Sequence, residues 1–316
     1  MSRPVLLDTD LGSDVDDAIA LALLLGCPEL RLLAVTTVGG DVRGRARAAA
    51  RLLGLGGRAE VEVCAGARDA LVRRERFVWR EIETEGYPPG PDARISDEPA
   101  AERIVRAAHE TPGLELVAIG PLTNLAHALA LDPELPRRVA RLHVMGGHLR
   151  RVAIGERVCE PGIDYNLCSD PEASAMVLGA GFGTRLVTAD VTLETWLRES
   201  DLARLAEAPS AATRALVPLI RIWTPWQRKI FVEQLGGTLA PDNVAFLHDP
   251  LTVLSLVDER ALRFEALRIV PTIADGVFRT LEAPAGSGLG APMEAATAVD
   301  AAAAREAMVA RLVSAR

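Results

Sequence analysis

Short apolar runs alternate with helical stretches along the chain. Residues 5–7 form an apolar run that ends in a polar loop, and residues 18–25, rich in Ala and Leu, are typical of a buried helix. The β-branched run 31–38 and the helical spacing over 42–53 repeat this unit. The same pattern predicts further strands at 61–65, 114–119, 142–145 and 185–187, and further helices at 101–109, 122–131 and 171–178.

This alternation is typical of an α/β fold. Parallel strands need a crossover between them, and helices in the crossovers cover the faces of the sheet. We therefore predict one α/β domain over residues 1–316, with a mostly parallel, doubly wound, Rossmann-like sheet and helices on both faces. Two segments, 69–96 and 210–233, interrupt the alternation, and we interpret them as excursions over the rim of the sheet.

The chain is acidic: its 316 residues carry 35 Lys and Arg against 43 Asp and Glu, a net charge of −8. This charge repels phosphate backbones and anionic lipid, so nucleic acid and membranes are not expected partners, and a small neutral substrate fits better. The N-terminus has no signal-peptide pattern, and the four cysteines lack metal-ligand spacing. We expect a cytoplasmic protein with reduced thiols.

Five aspartates crowd the loop after the first predicted strand: Asp8, Asp10, Asp14, Asp16 and Asp17. One interpretation is a solvated loop in which Asp14 or Asp16 caps the next helix. The other is a metal site, because the loop lies at the carboxyl end of a parallel strand, where doubly wound sheets bind ligands. Gly12 would permit the turn that aims the carboxylates inward. Oxygen ligands alone favour Ca²⁺ or Mg²⁺.

This loop resembles the N-terminal signature of the nucleoside hydrolases, the calcium-dependent inosine-uridine family. Further segments match that family in the same order: 119–124 (I-G-P-L-T-N), 145–147 (M-G-G), 164–166 (D-Y-N), 170–173 (D-P-E-A) and 248–250 (H-D-P). The similarity extends from Val5 to at least Leu254. It implies an enzyme that hydrolyses the N-glycosidic bond of ribonucleosides to ribose and free base, with Ca²⁺, an activated water and inversion, in nucleoside salvage.

The resemblance also implies a ligand set for one Ca²⁺ ion. The implied ligands are Asp10, Asp17, Asp249 and the carbonyl of Ile119. Asp10 would in addition be the base toward the attacking water. Aligned on its last two aspartates, the loop is two residues longer than the family's, and Asp16 becomes a ribose-hydroxyl contact. Asp14 is then an extra carboxylate of open role.

The family's sugar contacts are partly altered in this chain. Asp41 replaces an asparagine after the second strand, which keeps an acceptor and loses the amide donor. Asp164 stands where the family has a longer acidic residue, and Asn166 matches. Residues 158–160 contain no asparagine, although the family contacts the 5′-hydroxyl there. We therefore expect a weaker hold on the 5′ end of the sugar.

Contacts to the nucleobase are predicted from a histidine and from both excursions. His248 is adjacent to an implied metal ligand and can donate a proton to the departing base. Trp79 is the aromatic residue nearest to the place where some family members carry a histidine. In the second excursion, Trp223 or Gln227 is predicted to face the base, since aromatic faces stack well on it.

Two other functions stay open. The D-x-D of Asp8 and Asp10 is also typical of a haloacid-dehalogenase-type phosphatase, with Asp8 as covalent nucleophile and Mg²⁺ as cofactor. That interpretation leaves Asp17 and Asp249 unexplained. A non-catalytic nucleoside-binding protein on the same scaffold is the second alternative. The sequence does not identify the preferred base, and the family implies a homodimer or homotetramer.

Overall fold

The first apolar run divides its side chains between two cores. A computed structural model describes residues 2–72, 86–161, 164–274 and 277–315. In the first strand, β1 (Arg3–Thr9), Val5 and Leu7 belong to one core and Leu6 to the other. Successive side chains of a strand point to opposite faces. Both faces of β1 are therefore buried, as in a parallel sheet that is covered by helices.

Within the described residues, the largest sheet has ten strands in the order β13-β12-β14-β9-β6-β5-β1-β2-β3-β4. Its other strands are β2 (Leu30–Thr37), β3 (Glu62–Ala65), β4 (Ile95–Ser96), β5 (Glu115–Ala118), β6 (Arg141–Met145), β9 (Thr184–Val187), β12 (Leu262–Ala274), β13 (Val277–Glu282) and β14 (Ala291–Val299). Neighbours from β14 to β4 are parallel, whereas β12 is antiparallel to both β14 and β13. The prediction of a mostly parallel sheet is confirmed.

Two antiparallel pairs lie outside this sheet: β7 (Val152–Ile154) with β8 (Arg157–Cys159), and β10 (Trp196–Arg198) with β11 (Asn243–Phe246). The helices are α1 (Asp16–Leu25), α2 (Val42–Leu55), α3 (Ala100–Glu110), α4 (Thr123–Leu131), α5 (Leu135–Arg138), α6 (Tyr165–Ser169), α7 (Pro171–Gly179), α8 (Ala189–Thr192), α9 (Glu199–Ala206), α10 (Ala211–Arg228), α11 (His248–Val257) and α12 (Ala301–Ser314).

The helices cover both faces of the sheet, as predicted. One core takes apolar residues of α1, α2, α10, α11 and α12, and the other takes those of α3, α4 and α7. Each strand and helix predicted above lies at its expected place, with ends that differ by a few residues. Strands β12, β13 and β14 were not predicted.

The two excursions have different structures. The end of the first supplies β4, the outermost parallel strand beside β3. The second is α10, which continues as one turn of π-helix over Lys229–Gln234. None of the described helices is long and apolar enough to span a bilayer. All four cysteines are free thiols, as expected.

Candidate active site

The carboxylates of Asp16, Asp17 and Asp249 meet inside the protein. One oxygen from each lies within 4.8 Å of those from the other two, and each residue is only 3% exposed. Asp16 and Asp17 form the first turn of α1, and Asp249 lies in the first turn of α11. A helix N-terminus favours negative charge because it carries the positive end of the macrodipole. We call these three residues the acidic centre.

The preceding loop is shaped by one glycine and one aspartate. Gly12 has φ of +119°, a conformation that side chains rarely adopt, and this is the turn predicted from the sequence. Oδ1 of Asp14 accepts hydrogen bonds from the backbone N–H groups of Val15 at 2.6 Å and Asp16 at 3.3 Å. Asp14 therefore fixes the backbone at the start of α1, while Asp16 turns its own carboxylate into the acidic centre.

Burial and mutual repulsion raise the pKa values of the acidic centre. For all three carboxyls burial is the largest cause, and the charges of neighbouring aspartates add to it. Burial and nearby carboxylates likewise raise the pKa of Asp14 to about 8. A cation placed among these groups would favour their ionised forms. Because all the donors are oxygen atoms, the set fits a hard divalent ion.

Asp10 lies beside the acidic centre, where its charge raises the pKa of each of the three carboxyls. The adjacent strand end approaches it closely: a Cβ on Gly120 would lie 2.8 Å from both the backbone N and Oδ1 of Asp10. Real Cβ atoms do not come that close, so glycine is required for this position of Asp10. The carbonyl of Ile119, just before it, accepts from Nδ2 of Asn166 at 2.9 Å.

The predicted sugar contacts converge on the same strand ends. Asn166 is buried, and its Nδ2 also reaches the Met145 carbonyl at 3.3 Å, after β6. Asp164 caps α6 by accepting from the Leu167 N–H at 2.8 Å. Burial raises the pKa of Asp164 to about 6. The short helix α6 therefore holds both residues in place, and their contact with a sugar stays a prediction.

His248 begins α11, immediately before Asp249. Its Nδ1 lies 2.7 Å from the Thr192 hydroxyl, and its ring packs on Phe246 with centroids 5.3 Å apart. Burial lowers the pKa of His248 to about 4, so the imidazole is neutral at pH 7. The ring is thus oriented through one nitrogen beside the acidic centre.

The two predicted base contacts on α10 have different surroundings. Trp223 is 4% exposed and lines a small pocket together with Asp14, Tyr87 and Leu219. Gln227 is fully buried, donating to Oδ1 of Asn243 at 2.8 Å and accepting from the Phe246 N–H at 2.7 Å. Gln227 therefore ties α10 to β11, the strand that leads to His248.

Two predicted contacts remain, Asp41 and Trp79. Asp41 caps α2 by accepting from the Gly44 N–H at 3.0 Å. Its side chain is 55% exposed and lies 3.8 Å from the Arg47 guanidinium. Trp79 lies outside the described residues. The substrate contacts of both stay predictions.

Comparison with known proteins identifies the family. The profile of the inosine-uridine preferring nucleoside hydrolases matches residues 5–308. The chain belongs to this family. The pyrimidine-specific ribonucleoside hydrolase RihA of Shewanella sp. (strain MR-7) is 33% identical over 82% of this chain and 79% of its own. The probable uridine nucleosidase 2 of Arabidopsis thaliana is 29% identical over 80% and 77%. A solved plant nucleoside hydrolase, PpNRh1, is 26% identical with a TM-score of 0.82 over 99% of both chains.

The protein is thus a nucleoside hydrolase, an enzyme that cleaves ribonucleosides to ribose and free base. Enzymes of this family are metal-dependent, and the acidic centre is a candidate metal site in this chain. No observation favours the non-catalytic alternative or the phosphatase. In the hydrolase, Asp8 is 1% exposed and accepts from the Thr36 hydroxyl at 2.5 Å and from Nδ2 of Asn124 at 2.7 Å. It is a buried structural group and not an accessible nucleophile.

Sequence analysis missed three residues that hold the loops of the hydrolase together. Asn124 binds Asp8, the Thr37 carbonyl and the Ala67 N–H, and so joins three strand ends. The Thr9 hydroxyl donates to Asp17. Arg45 is buried beside the acidic loop. The match of segment 119–124 to the family could have pointed to Asn124. The helical pattern around Arg45 gave no indication of its role.

Proposed function

We propose that this hydrolase is a Ca²⁺-dependent pyrimidine ribonucleoside hydrolase. The observation that carries the proposal is the convergence of three buried carboxylates at the N-termini of α1 and α11, beside Asp10. Three carboxylates without a cation would repel one another at neutral pH. Their raised pKa values agree with a site that is built to receive a divalent ion.

The residues proposed to hold Ca²⁺ are Asp10, Asp17, Asp249 and the carbonyl of Ile119. Asp16 belongs to the same cluster, which supports its proposed contact with a ribose hydroxyl beside the ion. Calcium takes six to eight oxygen ligands in flexible geometry, and this set leaves positions for water and sugar hydroxyls. When bound, the ion supplies positive charge that lowers the pKa of the attacking water.

In the proposed reaction Asp10 removes a proton from the attacking water. Gly120 leaves room for the Asp10 carboxylate, since a Cβ at that position would lie 2.8 Å from Oδ1. Asp16, Asp164 and Asn166 bind hydroxyls of the ribose, whose ring gains positive charge as the N-glycosidic bond breaks. Buried carboxylates near the ring stabilise that charge. Attack by water on the face opposite the base gives inversion.

His248 is proposed to assist the departing base. At neutral pH the imidazole carries one proton, and a Thr192 hydroxyl that donates to Nδ1 leaves this proton on Nε2. From Nε2 the neutral ring can donate a hydrogen bond to a nitrogen or oxygen of the base, which stabilises the negative charge that develops as the base departs. Trp223, Gln227, Trp79 and Asp41 stay proposed as further substrate contacts.

The pyrimidine preference rests on the names of the relatives. RihA is described as pyrimidine-specific and the plant relative as a uridine nucleosidase, at 33% and 29% identity. We also propose a homodimer or homotetramer, as is usual in the family. The four free cysteines are typical of a reducing compartment such as the cytoplasm.

A panel of nucleosides tests the proposal. We expect kcat/KM for uridine and cytidine to exceed that for inosine, adenosine and guanosine by roughly tenfold or more, the scale of discrimination by pocket shape. Asp17→Asn, which keeps the volume of the side chain, should lose activity on every member. Faster cleavage of a purine nucleoside would contradict the pyrimidine preference, and an active Asp17→Asn variant would contradict the metal site.

A further inference from the structure

Arg45 is a buried arginine of α2 that joins the loops after β1 and β2. The residue is 3% exposed. Its Nε donates to the carbonyl of Gly39 at 2.7 Å, after β2. Its Nη1 donates to the carbonyls of Asp10 and Leu11, and Nη2 donates to the Ser13 hydroxyl at 2.9 Å. One guanidinium thus reaches three residues of the acidic loop.

These bonds fix the backbone that carries Asp10. A guanidinium is planar and presents its N–H groups in a rigid fork, so the two successive carbonyls of Asp10 and Leu11 are held in one relative orientation. With those peptide groups fixed, the Asp10 side chain has a defined starting direction. Gly120 contacts Asp10 from the adjacent strand end. Arg45 therefore holds the backbone of Asp10, and the missing side chain of Gly120 leaves room for the Asp10 carboxylate.

The charge of Arg45 also acts on the acidic centre. Among the groups around Asp17, Arg45 favours the ionised carboxylate, whereas Asp10 and Asp16 oppose it. Burying a guanidinium is costly unless its donors are hydrogen-bonded and its charge is balanced. At Arg45 the backbone carbonyls accept hydrogen bonds from the guanidinium N–H groups. The nearby aspartates supply the negative charge that balances the guanidinium.

Ser13 connects Arg45 to the lengthened part of the loop. It is 3% exposed and directly precedes Asp14, whose carboxylate fixes the start of α1. A longer loop has more conformations and loses more entropy when it is ordered. The bond from Arg45 to Ser13 restrains the loop at this extra length.

We propose that Arg45 is a positioning residue that presets the acidic loop for the divalent ion, with Ser13 as its partner. The inference rests on the metal site proposed above. It assigns Arg45 no contact with substrate. Groups that orient metal ligands typically change metal affinity by about 10- to 100-fold when they are removed, and we expect Arg45 to act on that scale.

Arg103 offers a matched control. It is another buried arginine, 8% exposed, but its Nε donates to Glu62 at 3.2 Å and its Nη2 to the Leu33 carbonyl, under α3. Replacing either arginine by Met removes a buried guanidinium and keeps much of the side-chain length. A purely structural role for Arg45 would make the two variants alike, with lower stability and unchanged ion affinity.

The test measures Ca²⁺ affinity by calorimetry on chelator-treated protein, together with kcat and KM for uridine. Arg45→Met should weaken Ca²⁺ binding by about 100-fold and lower kcat more than it changes KM. Arg45→Lys should not restore either value, because a single ammonium cannot also reach the Gly39 carbonyl and the Ser13 hydroxyl, which Nε and Nη2 bind. Arg103→Met should lower the unfolding midpoint and leave Ca²⁺ affinity within about twofold, since distant sites act independently.

A double-mutant cycle tests the pairing with Ser13. Ser13→Ala should weaken Ca²⁺ binding by roughly fivefold, the effect of one hydrogen bond, and should have no effect once Arg45 is Met. Equal effects of Ser13→Ala in both backgrounds would overturn the pairing. Wild-type Ca²⁺ affinity and kcat in folded Arg45→Met would overturn the inference as a whole.

Two other experimental outcomes also test the inference. If Arg45→Met does not fold, Ser13→Ala decides, because it removes only one bond, and unchanged Ca²⁺ affinity in that variant overturns the inference. If the unmodified protein binds no Ca²⁺, the proposed metal site fails. The positioning role is then judged by kcat alone, and it is overturned if Arg45→Met and Arg103→Met lose kcat equally.

Discussion

The backbone N–H of Asp249 donates a hydrogen bond to Oδ2 of Asp16 at 3.2 Å, across 233 residues of sequence. Asp16 begins α1, Asp249 lies in the first turn of α11, and these two helices pack against each other. Both helices therefore direct their positive N-terminal ends toward the same carboxylates. The acidic centre is a product of tertiary packing, since neither segment can form it alone.

The close approach of Gly120 to Asp10 predicts a specific loss of activity. Gly120→Ala places a Cβ 2.8 Å from the backbone N and Oδ1 of Asp10, so the carboxylate must move. We expect kcat/KM for uridine to fall by about 100-fold, the scale for misplacing a reacting group by about 1 Å. Gly179→Ala is the matched control, because nothing lies within 4 Å of its added Cβ. Similar activity in the two variants would contradict this role of Gly120.

The leaving-group role of His248 predicts a dependence on the substrate. His248→Ala should slow uridine by about 100-fold or more, the usual effect of losing a hydrogen-bond donor to charge that develops in the transition state. A nitrophenyl riboside, whose leaving group needs no proton, should be nearly unaffected. Thr192→Val, which removes the hydroxyl 2.7 Å from Nδ1, should give a smaller loss with the same selectivity. Equal losses of His248→Ala on both substrates would refute the assignment.

The sugar contacts predict an order among deoxynucleosides. A 2′-deoxy substrate lacks the hydroxyl that the buried Asp16 and Asn166 are proposed to contact, which in a site built for a hydroxyl costs on the order of 10⁴-fold in kcat/KM. At the 5′ end, residues 158–160 offer no asparagine to bind the hydroxyl. Val158 is exposed, and Glu160 pairs with Arg151 at 3.0 Å. We therefore expect 5′-deoxyuridine to be cleaved faster than 2′-deoxyuridine. The reverse order would show that the pocket binds mainly the 5′ end.

Asp164 predicts a pH dependence of stability. Burial raises its pKa from 3.8 to about 6 in the folded protein, so the folded state binds this proton more tightly than the unfolded state. The resulting stabilisation is present below about pH 4 and is lost as the pH rises through about 6. Asp164→Asn keeps a good helix cap and removes the titration.

Urea unfolding of chelator-treated protein checks this sign. The free energy of unfolding of the unmodified protein, minus that of Asp164→Asn, should fall between about pH 4 and pH 6 and then level off. The subtraction cancels the pH dependence that the other aspartates contribute to the free energy of unfolding. A difference that rises over this interval would mean that the Asp164 carboxylate is stabilised in its charged form.

Local patterns were sufficient to predict most of the central sheet. Strands such as β1 and β2 are buried on both faces, so they appear in the sequence as nearly continuous apolar runs. The antiparallel strand β12 gave no such signal, because its side chains are mostly half-buried or exposed and it contains Pro271. Helix α1 starts at Asp16 and not at the predicted residue 18, because two aspartates form its first turn.

The candidate site could be predicted where motifs are contiguous. The acidic loop and the H-D-P segment were found in this way, and the structure brings Asp17 and Asp249 together as expected. Arg45 was missed because its partners Asp10 and Ser13 lie more than thirty residues away in sequence. Gln227 was expected near the base. The helical pattern could not reveal that its amide nitrogen and oxygen both form hydrogen bonds with β11.

The central claim is that ribonucleoside hydrolysis requires a divalent ion in the acidic centre. The most direct measurement is kcat/KM for uridine on protein whose metal content has been determined, first after exhaustive chelation and then during titration with Ca²⁺. We predict that activity is lost with the ion, returns in proportion to one bound Ca²⁺ per chain, and does not return in Asp249→Asn. Full activity in protein shown to be free of divalent ions would contradict the account.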